Sequence, residues 1–525
     1  MPWRLAPNRI LVSFRFSVRT MSTRTFNDAV DKLNSLQSNY AAIEASRASG
    51  GRMTQYAKHE MIEYLGRIGY SVTDLNQLNV IHVTGTKGKG STCAFVDSII
   101  RSTTPHRKIG LFTSPHLVSV RERIRINGVP ISEEDFVRFF FEVWDRLEQN
   151  DQREYSSTLP KPMYFKFLNL MAYHAFLTLK VDTTILEVGV GGEYDSTNIV
   201  PKPIVTGVTS LGLDHVIILG ATLDKIAWQK GGIYKEGVPA YTVPQPPEAL
   251  EVLRSRATEK MASSFHVVHP IPELSSLPLG LAGKHQLQNA TLALHLADTY
   301  LKAQGDVQGD IAQLTEPLNE AYVRGLRATK WPGRCQTVSD PDDSKSTWFL
   351  DGAHTVESLT SCAEWFVSPG LGIKPEATRV LIFNCTHGRS GAELLGALQA
   401  GFKSQIQLHE SATPAEQLFD HVIFCTNVTY SDGTFKGEFT QKGLDEKDLA
   451  QLKTQTELAN AWKIMIPTFP EARIHVVPSI EHAVKTVKHL RSTQDTPVDA
   501  LVTGSLLLVG GLIDVANLTK SALEI

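Results

Sequence analysis

The stretch VTGTKGKGST, from Val83 to Thr92, contains three glycines and two lysines within ten residues. The apolar run LNVIHV leads into it, and the segment CAFVDSII, whose apolar residues have helical spacing, follows it. This order predicts a buried strand, a glycine-rich turn and a helix. Such a turn directs backbone N–H groups and the positive end of a helix toward one point. The stretch therefore predicts a site for a polyphosphate.

The turn departs from the usual phosphate-loop pattern, G-x-x-x-x-G-K-[ST], at two positions. Val83 stands where that pattern has its first glycine. Gly90 separates Lys89 from Ser91, although the pattern places the hydroxyl directly after the lysine. An ordinary glycine-rich turn between a strand and a helix is the alternative interpretation.

The composition limits the class of protein. A chain of 525 residues exceeds what one hydrophobic core usually supports, so two or more domains are expected. With 42% hydrophobic and 20% charged residues, the balance is that of a soluble globular protein. The net charge of −3 gives no reason to expect nucleic acid as a partner. Five cysteines without C-x-x-C spacing argue against a zinc site or a disulfide framework, and we expect them to be buried.

Residues 1–25 have the composition of a mitochondrial transit peptide. They contain five arginines and several hydroxyl side chains, and no acidic residue occurs before Asp28. A disordered basic tail is the alternative. A start at Met21 would remove most of these arginines, so we expect both a mitochondrial form, in the matrix or at the inner membrane, and a cytoplasmic form. No later segment is apolar for long enough to span a bilayer, which limits membrane contact to peripheral association.

Short apolar runs alternate with helical patterns along the rest of the chain. A helical pattern with a glycine-rich break, ASGGR, covers residues 28–70, and another helix is predicted over residues 281–303. Candidate strands include KIGLFTS, TTILEVG and PIVTGVTSLG, and later STWFLDGAH, RVLIFNCT, DHVIFCTN, EARIHVVP and DALVTGSLLLVGG. The alternation predicts an α/β fold with mostly parallel sheets covered by helices. The segment RATKWPGRCQTV suggests a boundary, which gives a first domain with the phosphate site over residues 26–330 and a smaller Rossmann-like α/β domain over residues 331–525.

Polar residues follow several of the candidate strands in the first domain. Ser114, Glu187 and the pair Asp214 and His215 each stand at such a strand end. A hydroxyl, a carboxylate and an imidazole can surround a divalent cation together with phosphate oxygens, and Mg²⁺ is the ion expected beside a nucleotide. Each residue also has a structural alternative, in which Glu187 pairs with a lysine, Ser114 caps a turn and His215 is a structural histidine.

Four further residues are candidates for the same site. Lys230 stands near the end of a predicted helix, where a lysine also interacts favourably with the helix dipole. Asp351 and His354, in FLDGAHT, suit the orientation of a nucleotide and a reacting carboxylate, whereas an Asx turn is the structural alternative. Arg334, at the domain boundary, carries a fixed charge that suits phosphate.

These segments together resemble the folylpolyglutamate synthase family of Mur-type ATP-dependent amide ligases. The resemblance runs from about residue 30 to the C-terminus, and GTKGKGS is similar to that family's own phosphate loop, in which the glycine after the lysine is normal. The other matching motifs are FTSPHLVSVRERIRING, YFKFLNLMAYHAF, EVGVGGEYDSTN, SLGLDHVIILGATLDKIAWQKGGI, GKHQLQNA, WPGRCQ, LDGAHT and VTGSLLLVGG. It implies a Mur-ligase-type ATPase domain followed by a glutamate-ligase domain.

The resemblance also implies roles for individual residues. The residues implied to bind ATP are Gly85, Thr86, Lys87, Gly88, Lys89, Gly90, Ser91, Asn289, Arg334 and Asp351. The implied Mg²⁺ ligands, some acting through water, are Ser114, Glu187 and His215. The residues implied to serve catalysis are Lys89, His354 and Lys230, the last as an N6-carboxylysine. The residues implied to lie near folate are His116, Arg121 and Arg123.

Two positions depart from the family pattern. FNCTHGRS stands where the family has T-G-D-R-D, so that Ser390 replaces an aspartate, and Leu507 in GSLLLVGG replaces a histidine. Both positions lie in the second domain, outside the phosphate loop and the implied metal ligands. They put details of the second domain in doubt and leave the expected reaction unchanged.

The implied reaction is ATP-dependent addition of L-glutamate to the γ-carboxylate of a reduced folate through an acyl phosphate. The resemblance also allows a monovalent cation such as K⁺, and we expect a monomer. Two other functions stay open: a dihydrofolate synthase, which adds glutamate to dihydropteroate, and a phosphate-loop protein that binds nucleotide without ligase activity. The motifs YFKFLNLMAYHAF and IAWQKGGI resemble the eukaryotic polyglutamylating form and favour the first function.

Overall fold

The computed structural model describes residues 24–37, 56–155, 157–309, 318–368, 376–385, 390–410, 413–434, 451–494 and 496–523. Helices α1 (Phe26–Ser35) and α2 (Tyr56–Arg67) confirm the helical pattern predicted before the first strand. The predicted glycine-rich break between them lies outside the described residues, as do residues 1–23 of the predicted transit peptide.

The first sheet has eight strands. Their bounds are β1 (Val80–Thr84), β2 (Ile109–Phe112), β3 (Ile124–Ile126), β4 (Val129–Pro130), β5 (Thr183–Glu187), β6 (Val205–Val208), β7 (Pro239–Thr242) and β8 (Ser264–Val267). They lie in the order β4-β3-β2-β5-β1-β6-β7-β8. All neighbouring strands are parallel except β2 with β3 and β3 with β4, which form an antiparallel edge. The mostly parallel sheet predicted from the alternating pattern is therefore confirmed.

Helices cover this sheet, as predicted. Their bounds are α3 (Lys89–Thr103), α4 (Glu133–Gln149), α5 (Tyr164–Leu179), α6 (Val216–Leu219), α7 (Leu223–Gly231), α8 (Pro247–Glu259), α9 (Gln286–Ala303) and α10 (Glu320–Ala328). Helix α4 is amphipathic, because Phe136, Phe139, Phe140 and Val143 recur at helical spacing and are all buried. Helix α9 begins at Gln286 and not at residue 281, since the chain turns at Gly283 with a φ of 104°.

The order of the strands brings four loops to one edge of the sheet. Strand β1 lies between β5 and β6, and β2 lies on the other side of β5. The register pairs Val83 with Glu187 and Thr84 with Val208. Because parallel strands end at the same edge, the loops after β1, β2, β5 and β6 are neighbours there. Ligands of open α/β sheets bind at this edge, where the strand order reverses.

The second sheet has six strands. Their bounds are β9 (Gln336–Ser339), β10 (Ser346–Leu350), β11 (Thr378–Phe383), β12 (His421–Cys425), β13 (Ile474–Val477) and β14 (Val498–Thr503), in the order β13-β12-β11-β14-β10-β9. Only β9 with β10 is antiparallel among these pairs. The accompanying helices are α11 (Val356–Phe366), α12 (Gly391–Leu408), α13 (Lys453–Met465), α14 (Ile480–Gln494), α15 (Leu506–Val515) and α16 (Thr519–Leu523). The predicted second α/β unit is confirmed.

One predicted strand segment is wrong in its second half. DALVTGSLLLVGG forms strand β14 only as far as Thr503, and helix α15 begins at Leu506. Gly504 turns the chain between them with a φ of 99°, a conformation that favours glycine. Short 3₁₀ segments complete the described structure at Val72–Leu78, Val120–Arg123, Ser196–Ile199, Pro272–Ser276, Ala415–Gln417 and Glu471–Arg473.

All five cysteines are free and buried, as predicted. Among the helices of the described ranges, none is both long enough and apolar enough to cross a bilayer.

Candidate active site

The glycine-rich loop joins β1 to α3, as the sequence predicts, and its glycines lie against neighbouring side chains. A β-carbon at Gly85 would lie 1.7 Å from Oγ1 of Thr209, and one at Gly88 would lie 2.1 Å from Oδ1 of Asn289. Gly88 also precedes α3 with a φ of 86°, a left-handed conformation that favours glycine. Neither position has room for a side chain, so the loop backbone lies directly against its neighbours.

The additional glycine of this loop has a packing role. A β-carbon at Gly90 would lie 3.0 Å from the indole nitrogen of Trp331, which belongs to the segment between the two sheets. Gly90 occupies the first turn of α3, between Lys89 and Ser91. The departure from the usual phosphate-loop pattern therefore accommodates an aromatic ring.

Backbone hydrogen bonds fix the first part of the loop. The N–H groups of Thr86 and Lys87 both donate to the carbonyl oxygen of Ser210, at 2.9 and 3.1 Å. The hydroxyl of Thr209 donates to the carbonyl of Lys87 at 2.6 Å. We therefore expect the phosphate-binding N–H groups in the first turn of α3, because the first N–H groups of a helix have no partner within that helix.

Two lysine side chains meet at the same carbonyl oxygen. Nζ of Lys89 donates to the carbonyl of Gly85 at 3.0 Å, and Nζ of Lys230 donates to the same oxygen at 2.7 Å. Lys230 lies in the last turn of helix α7 and is 3% exposed. Burial, reinforced by the positive charge of Lys89, lowers the pKa of Lys230 far below its usual value. The predicted catalytic lysines thus share one position beside the phosphate loop.

The loop after β2 contacts the end of β5. The backbone N–H of Ser114 donates to Oε2 of Glu187 at 2.8 Å. Glu187 is buried, and burial raises the pKa of its carboxyl, while the charge of Lys89 and the N–H of Ser114 oppose that rise. Two of the three predicted metal ligands are therefore adjacent, and Lys89 lies within electrostatic reach of them.

The third predicted metal ligand follows β6. His215 precedes the short helix α6 with a φ of 50° and is exposed. Partial desolvation lowers the pKa of its imidazole. The charge of Asp214 raises that pKa, whereas the charges of Lys89 and Lys230 lower it further. Asp214 also pairs with Nζ of Lys87 at 3.4 Å. His215 therefore lies within the electric field of the same lysine cluster.

The predicted folate residues separate into two groups. Nε of Arg123 donates to Nδ1 of His116 at 3.0 Å, and the guanidinium of Arg123 lies 5.6 Å from the ring centroid of Tyr164. Arg121 instead donates to the carbonyl of Ile131 at 2.9 Å, away from this pair. Only His116 and Arg123 are brought together by the structure.

In the second domain, Asp351 fixes the backbone of its own loop. Its carboxylate accepts the N–H of Cys335 at 2.7 Å and the N–H of Ala353 at 2.9 Å. These bonds match the structural alternative, an Asx turn. They also tie the start of the second domain to the end of β10.

Arg334 and His354 flank the same loop. Nη1 of Arg334 lies 2.9 Å from where a β-carbon of Gly352 would be, and Nδ1 of His354 is 3.0 Å from the carbonyl oxygen of Gly352. The charge of Arg334 also opposes the raised pKa of Glu187, so its guanidinium acts on the end of β5. Arg334 thus links the second domain electrostatically to the first.

The departures from the family pattern have simple local roles. The hydroxyl of Ser390 caps helix α12 by accepting the N–H of Glu393 at 3.3 Å. Leu507 lies in the first turn of α15. Neither residue touches the phosphate loop in the contacts of the described chain.

The side chains present fit a nucleotide-bound Mg²⁺ better than an ion held by protein alone. In the part of the chain that the structure describes, no group of three or more His, Cys, Asp or Glu side chains is arranged to hold a metal. Mg²⁺ bound with a nucleotide usually keeps several waters and takes one or two carboxylates besides phosphate oxygens. Glu187, buried at a strand end next to Ser114, supplies such a carboxylate.

Sequence reasoning missed four residues that shape this site. Thr209 and Ser210 hold the phosphate loop, and both directly follow β6, so the rule applied to Ser114 and Glu187 would also have found them. Gln286 accepts the side-chain N–H of Asn289 at 2.9 Å. Trp331 was part of a boundary motif, and no local pattern indicates that its ring reaches Gly90.

The sheets, the phosphate loop and the cluster of lysines define an ATP-dependent ligase of the Mur type, and solved structures agree on the fold. The folylpolyglutamate synthase of Thermotoga maritima is 25% identical, with a TM-score of 0.60, over 88% of this chain and 95% of that chain. The Mycobacterium tuberculosis folylpolyglutamate synthase complexed with ADP and AMPPCP is 24% identical, with a TM-score of 0.63, over 90% of this chain and 98% of that chain. A scan against protein-family models found no match.

Curated relatives identify the family. The folylpolyglutamate synthase of Neurospora crassa is 45% identical over 513 residues, which cover 95% of this chain and 93% of the relative. The folylpolyglutamate synthase of Saccharomyces cerevisiae is 44% identical over 502 residues, which cover 94% of this chain and 87% of that relative. The chain belongs to the folylpolyglutamate synthase family, and it is an ATP-dependent ligase that joins glutamate to folate.

Proposed function

We propose that this active site extends the glutamate chain of a reduced folate, and that Lys89, held beside Lys230 at Gly85, supplies positive charge to the transferred phosphoryl group. The observation that carries the proposal is the convergence of Lys89 and Lys230 on one carbonyl oxygen, beside the buried Glu187. Transfer of the γ-phosphoryl group of ATP depends on positive charge placed at its oxygens. The names of the relatives support folate and glutamate as the other substrates.

The chemistry follows from the poor reactivity of a carboxylate. An oxygen of the folate γ-carboxylate attacks the γ-phosphorus of ATP, and ADP leaves. The amino group of glutamate then attacks the carbonyl carbon of the acyl phosphate. The bond from carbon to the bridging oxygen breaks, phosphate leaves, and the amine loses a proton. Each new amide bond therefore consumes one ATP and releases one ADP and one phosphate.

The residues of the chain divide this work. Lys89 and the first-turn N–H groups of α3 hold and neutralise the phosphoryl oxygens. Arg334, from the second domain, adds a fixed charge for the nucleotide, and Asn289 lies directly against the loop at Gly88. Arg123, which is buried and donates to His116, suits a carboxylate of the folate. We assign His354 to the reacting carboxylate.

A divalent ion completes the proposed site. Ser114, Glu187 and His215 would hold Mg²⁺ together with ATP, and a monovalent cation such as K⁺ would add charge nearby. When bound, Mg²⁺ supplies positive charge to the phosphate oxygens. Glu187 provides the carboxylate, and the N–H of Ser114 keeps that carboxylate in place.

Lys230 is a proposed N6-carboxylysine. An amine reacts with carbon dioxide only as the free base, and burial together with the charge of Lys89 favours that form of Lys230. The amine nitrogen forms a bond to the carbon of CO₂ and loses a proton. The product is an anion next to Lys89, so the modified side chain and Lys89 form an ion pair.

The choice of substrate is tested directly by incubating the purified chain with ATP, Mg²⁺, labelled glutamate and either tetrahydrofolate or dihydropteroate. We expect labelled products of increasing glutamate number with tetrahydrofolate. A labelled product that forms with dihydropteroate but not with tetrahydrofolate would indicate dihydrofolate synthase activity. Nucleotide binding without labelled product would indicate a phosphate-loop protein that is not a ligase.

We also propose that the chain acts as a monomer in the mitochondrion and in the cytoplasm. The basic, acid-free composition of residues 1–25 and the position of Met21 support the two locations. Fusing residues 1–25 to a fluorescent reporter should direct it to mitochondria, and a chain beginning at Met21 should stay in the cytoplasm. A fusion of residues 1–25 that stays in the cytoplasm would contradict the proposed mitochondrial form.

Sedimentation of the purified chain tests the proposed monomer, because it measures the mass of the particle in solution.

A further inference from the structure

Trp331 contacts the phosphate loop and a buried arginine at once. Its ring atoms Nε1, Cε2 and Cζ2 lie 3.0, 3.3 and 3.4 Å from where a β-carbon of Gly90 would be. The guanidinium of Arg125 lies 5.3 Å from the ring centroid, within the range of a cation–π contact. Arg125 is 7% exposed. The residue that connects the two domains is therefore packed against the start of helix α3.

Arg125 continues this set of contacts to the loop after β2. Its guanidinium lies 3.8 Å from the carboxylate of Glu122, and its Nε donates to the carbonyl of Glu122 at 3.2 Å. The carboxylate of Glu122 accepts the N–H groups of Leu117, Val118 and Ser119 at 3.1, 2.8 and 2.7 Å. Glu122 thus fixes the backbone that follows Ser114 and His116.

The same loop is anchored in the second domain. Leu117 and Val118 belong to a hydrophobic cluster made otherwise of second-domain side chains, among them Val338, Trp348, Leu350 and Val509. A β-carbon at Gly333, two residues after Trp331, would lie 3.1 Å from Leu117. Contacts therefore run without a break from the core of the second domain to Gly90.

We propose that Trp331 is a positioning residue that couples the placement of the second domain to the geometry of the phosphate loop. The coupling runs through Leu117 and Val118, Glu122 and Arg125. It rests on the proposed acyl-phosphate reaction. With the contact intact, the second domain excludes water while glutamate attacks. Without it, phosphoryl transfer continues, but water attacks the acyl phosphate and returns the carboxylate and phosphate.

The ratio of ADP released to amide formed measures this coupling. We expect a ratio of about one for the wild-type chain, since one ATP serves one amide bond. Trp331→Leu should raise it roughly threefold or more, and Trp331→Phe, which keeps an aromatic ring, should give an intermediate value. Trp228→Leu is the matched control, because Trp228 also lies against a guanidinium, that of Arg256 at 4.4 Å, but lines a separate surface cavity. Its ratio should stay at about one.

A double-mutant cycle keeps the test independent of folding losses. Gly90→Ala places a methyl group against the indole, so its effect on the ratio should be smaller in the Trp331→Phe background than alone. A Trp331→Leu ratio of one with only a lowered melting temperature would overturn the proposal, and so would additive effects in the cycle. If Trp331→Leu does not fold, Trp331→Phe and Gly90→Ala decide the matter. A wild-type chain that forms no amide would instead contradict the proposed function.

Discussion

Nζ of Lys89 and Nζ of Lys230 donate hydrogen bonds to the same oxygen, the carbonyl of Gly85, at 3.0 and 2.7 Å. Two ammonium groups at one acceptor would repel each other, and this repulsion together with burial disfavours the charged form of Lys230, which is 3% exposed. An anion relieves that repulsion. The phosphate groups of ATP provide one, and a carbamate on Lys230 provides another.

Replacing Lys89 by alanine should abolish turnover and leave the fold intact. The side chain is only partly buried and serves the developing charge on the phosphoryl group, so we expect kcat to fall by ~10²-fold or more. The melting temperature should stay close to that of the wild-type chain. Lys488→Ala, at an exposed lysine of α14, is the control and should retain full activity. Near-normal turnover of the Lys89 variant would rule out the phosphate-loop assignment.

Replacing Glu187 or His215 by alanine should weaken the response to Mg²⁺ in the same way. Both residues would serve one ion, so the loss in the double variant should be smaller than the sum of the two single losses. The measurement is the Mg²⁺ concentration that gives half-maximal activity, with circular dichroism to verify folding. Additive losses would indicate two separate structural roles.

Replacing Lys230 by alanine distinguishes a carbamate from a structural amine. If Lys230 is carbamylated, the variant loses an anion and most of its activity, and small carboxylates in solution should restore part of it. If Lys230 is an unmodified amine that only holds the carbonyl of Gly85, the change should lower the melting temperature, and small carboxylates should restore no activity. Intact mass of active enzyme prepared with bicarbonate provides the second readout. An unmodified Lys230 in fully active enzyme would refute the carbamate.

The fold and the positions of the phosphate loop and of Glu187 could be predicted from the sequence, because the information is local. Gly85 to Ser91 lie between an apolar strand and a helix, and Glu187 ends a strand, so their positions follow from hydrophobic patterns. The hairpin strands β3 and β4 have three and two residues, too few for such a pattern. The contact of Trp331 with Gly90 depends on how distant segments pack, and no periodicity encodes it.

Lys235 should make the stability of the folded chain depend on pH. Its Nζ donates to the carbonyl of Asn198 at 3.1 Å, and burial, with the charge of Lys58 adding to it, lowers the pKa of Lys235 to about 8. A lysine in the unfolded chain titrates near ~10.4. Between these values the unfolded state binds more protons than the folded state, so the free energy of unfolding rises with pH.

Lys235→Met should remove that rise. The difference in unfolding free energy between the wild-type chain and the variant should increase by up to ~1.4 kcal/mol per pH unit between pH ~8 and ~10.4, and it should be constant below pH ~8. Urea unfolding at several pH values measures it. Lys488→Met controls for the loss of a charge at the surface. Parallel pH profiles for the wild-type chain and Lys235→Met would contradict the assignment.

The acyl phosphate is tested most directly by following the oxygen of the folate γ-carboxylate. Tetrahydrofolate labelled with ¹⁸O in that group is incubated with the purified chain, ATP, Mg²⁺ and glutamate, and the released phosphate is analysed by mass. The reaction is stopped while the only product carries one added glutamate, because later additions use the unlabelled γ-carboxylate of that glutamate. The carboxylate oxygen that attacks phosphorus stays with it when the amide forms, so each phosphate from this first addition should carry one ¹⁸O. Unlabelled phosphate released together with the first amide product would show that the carboxylate is not phosphorylated and would contradict the mechanism.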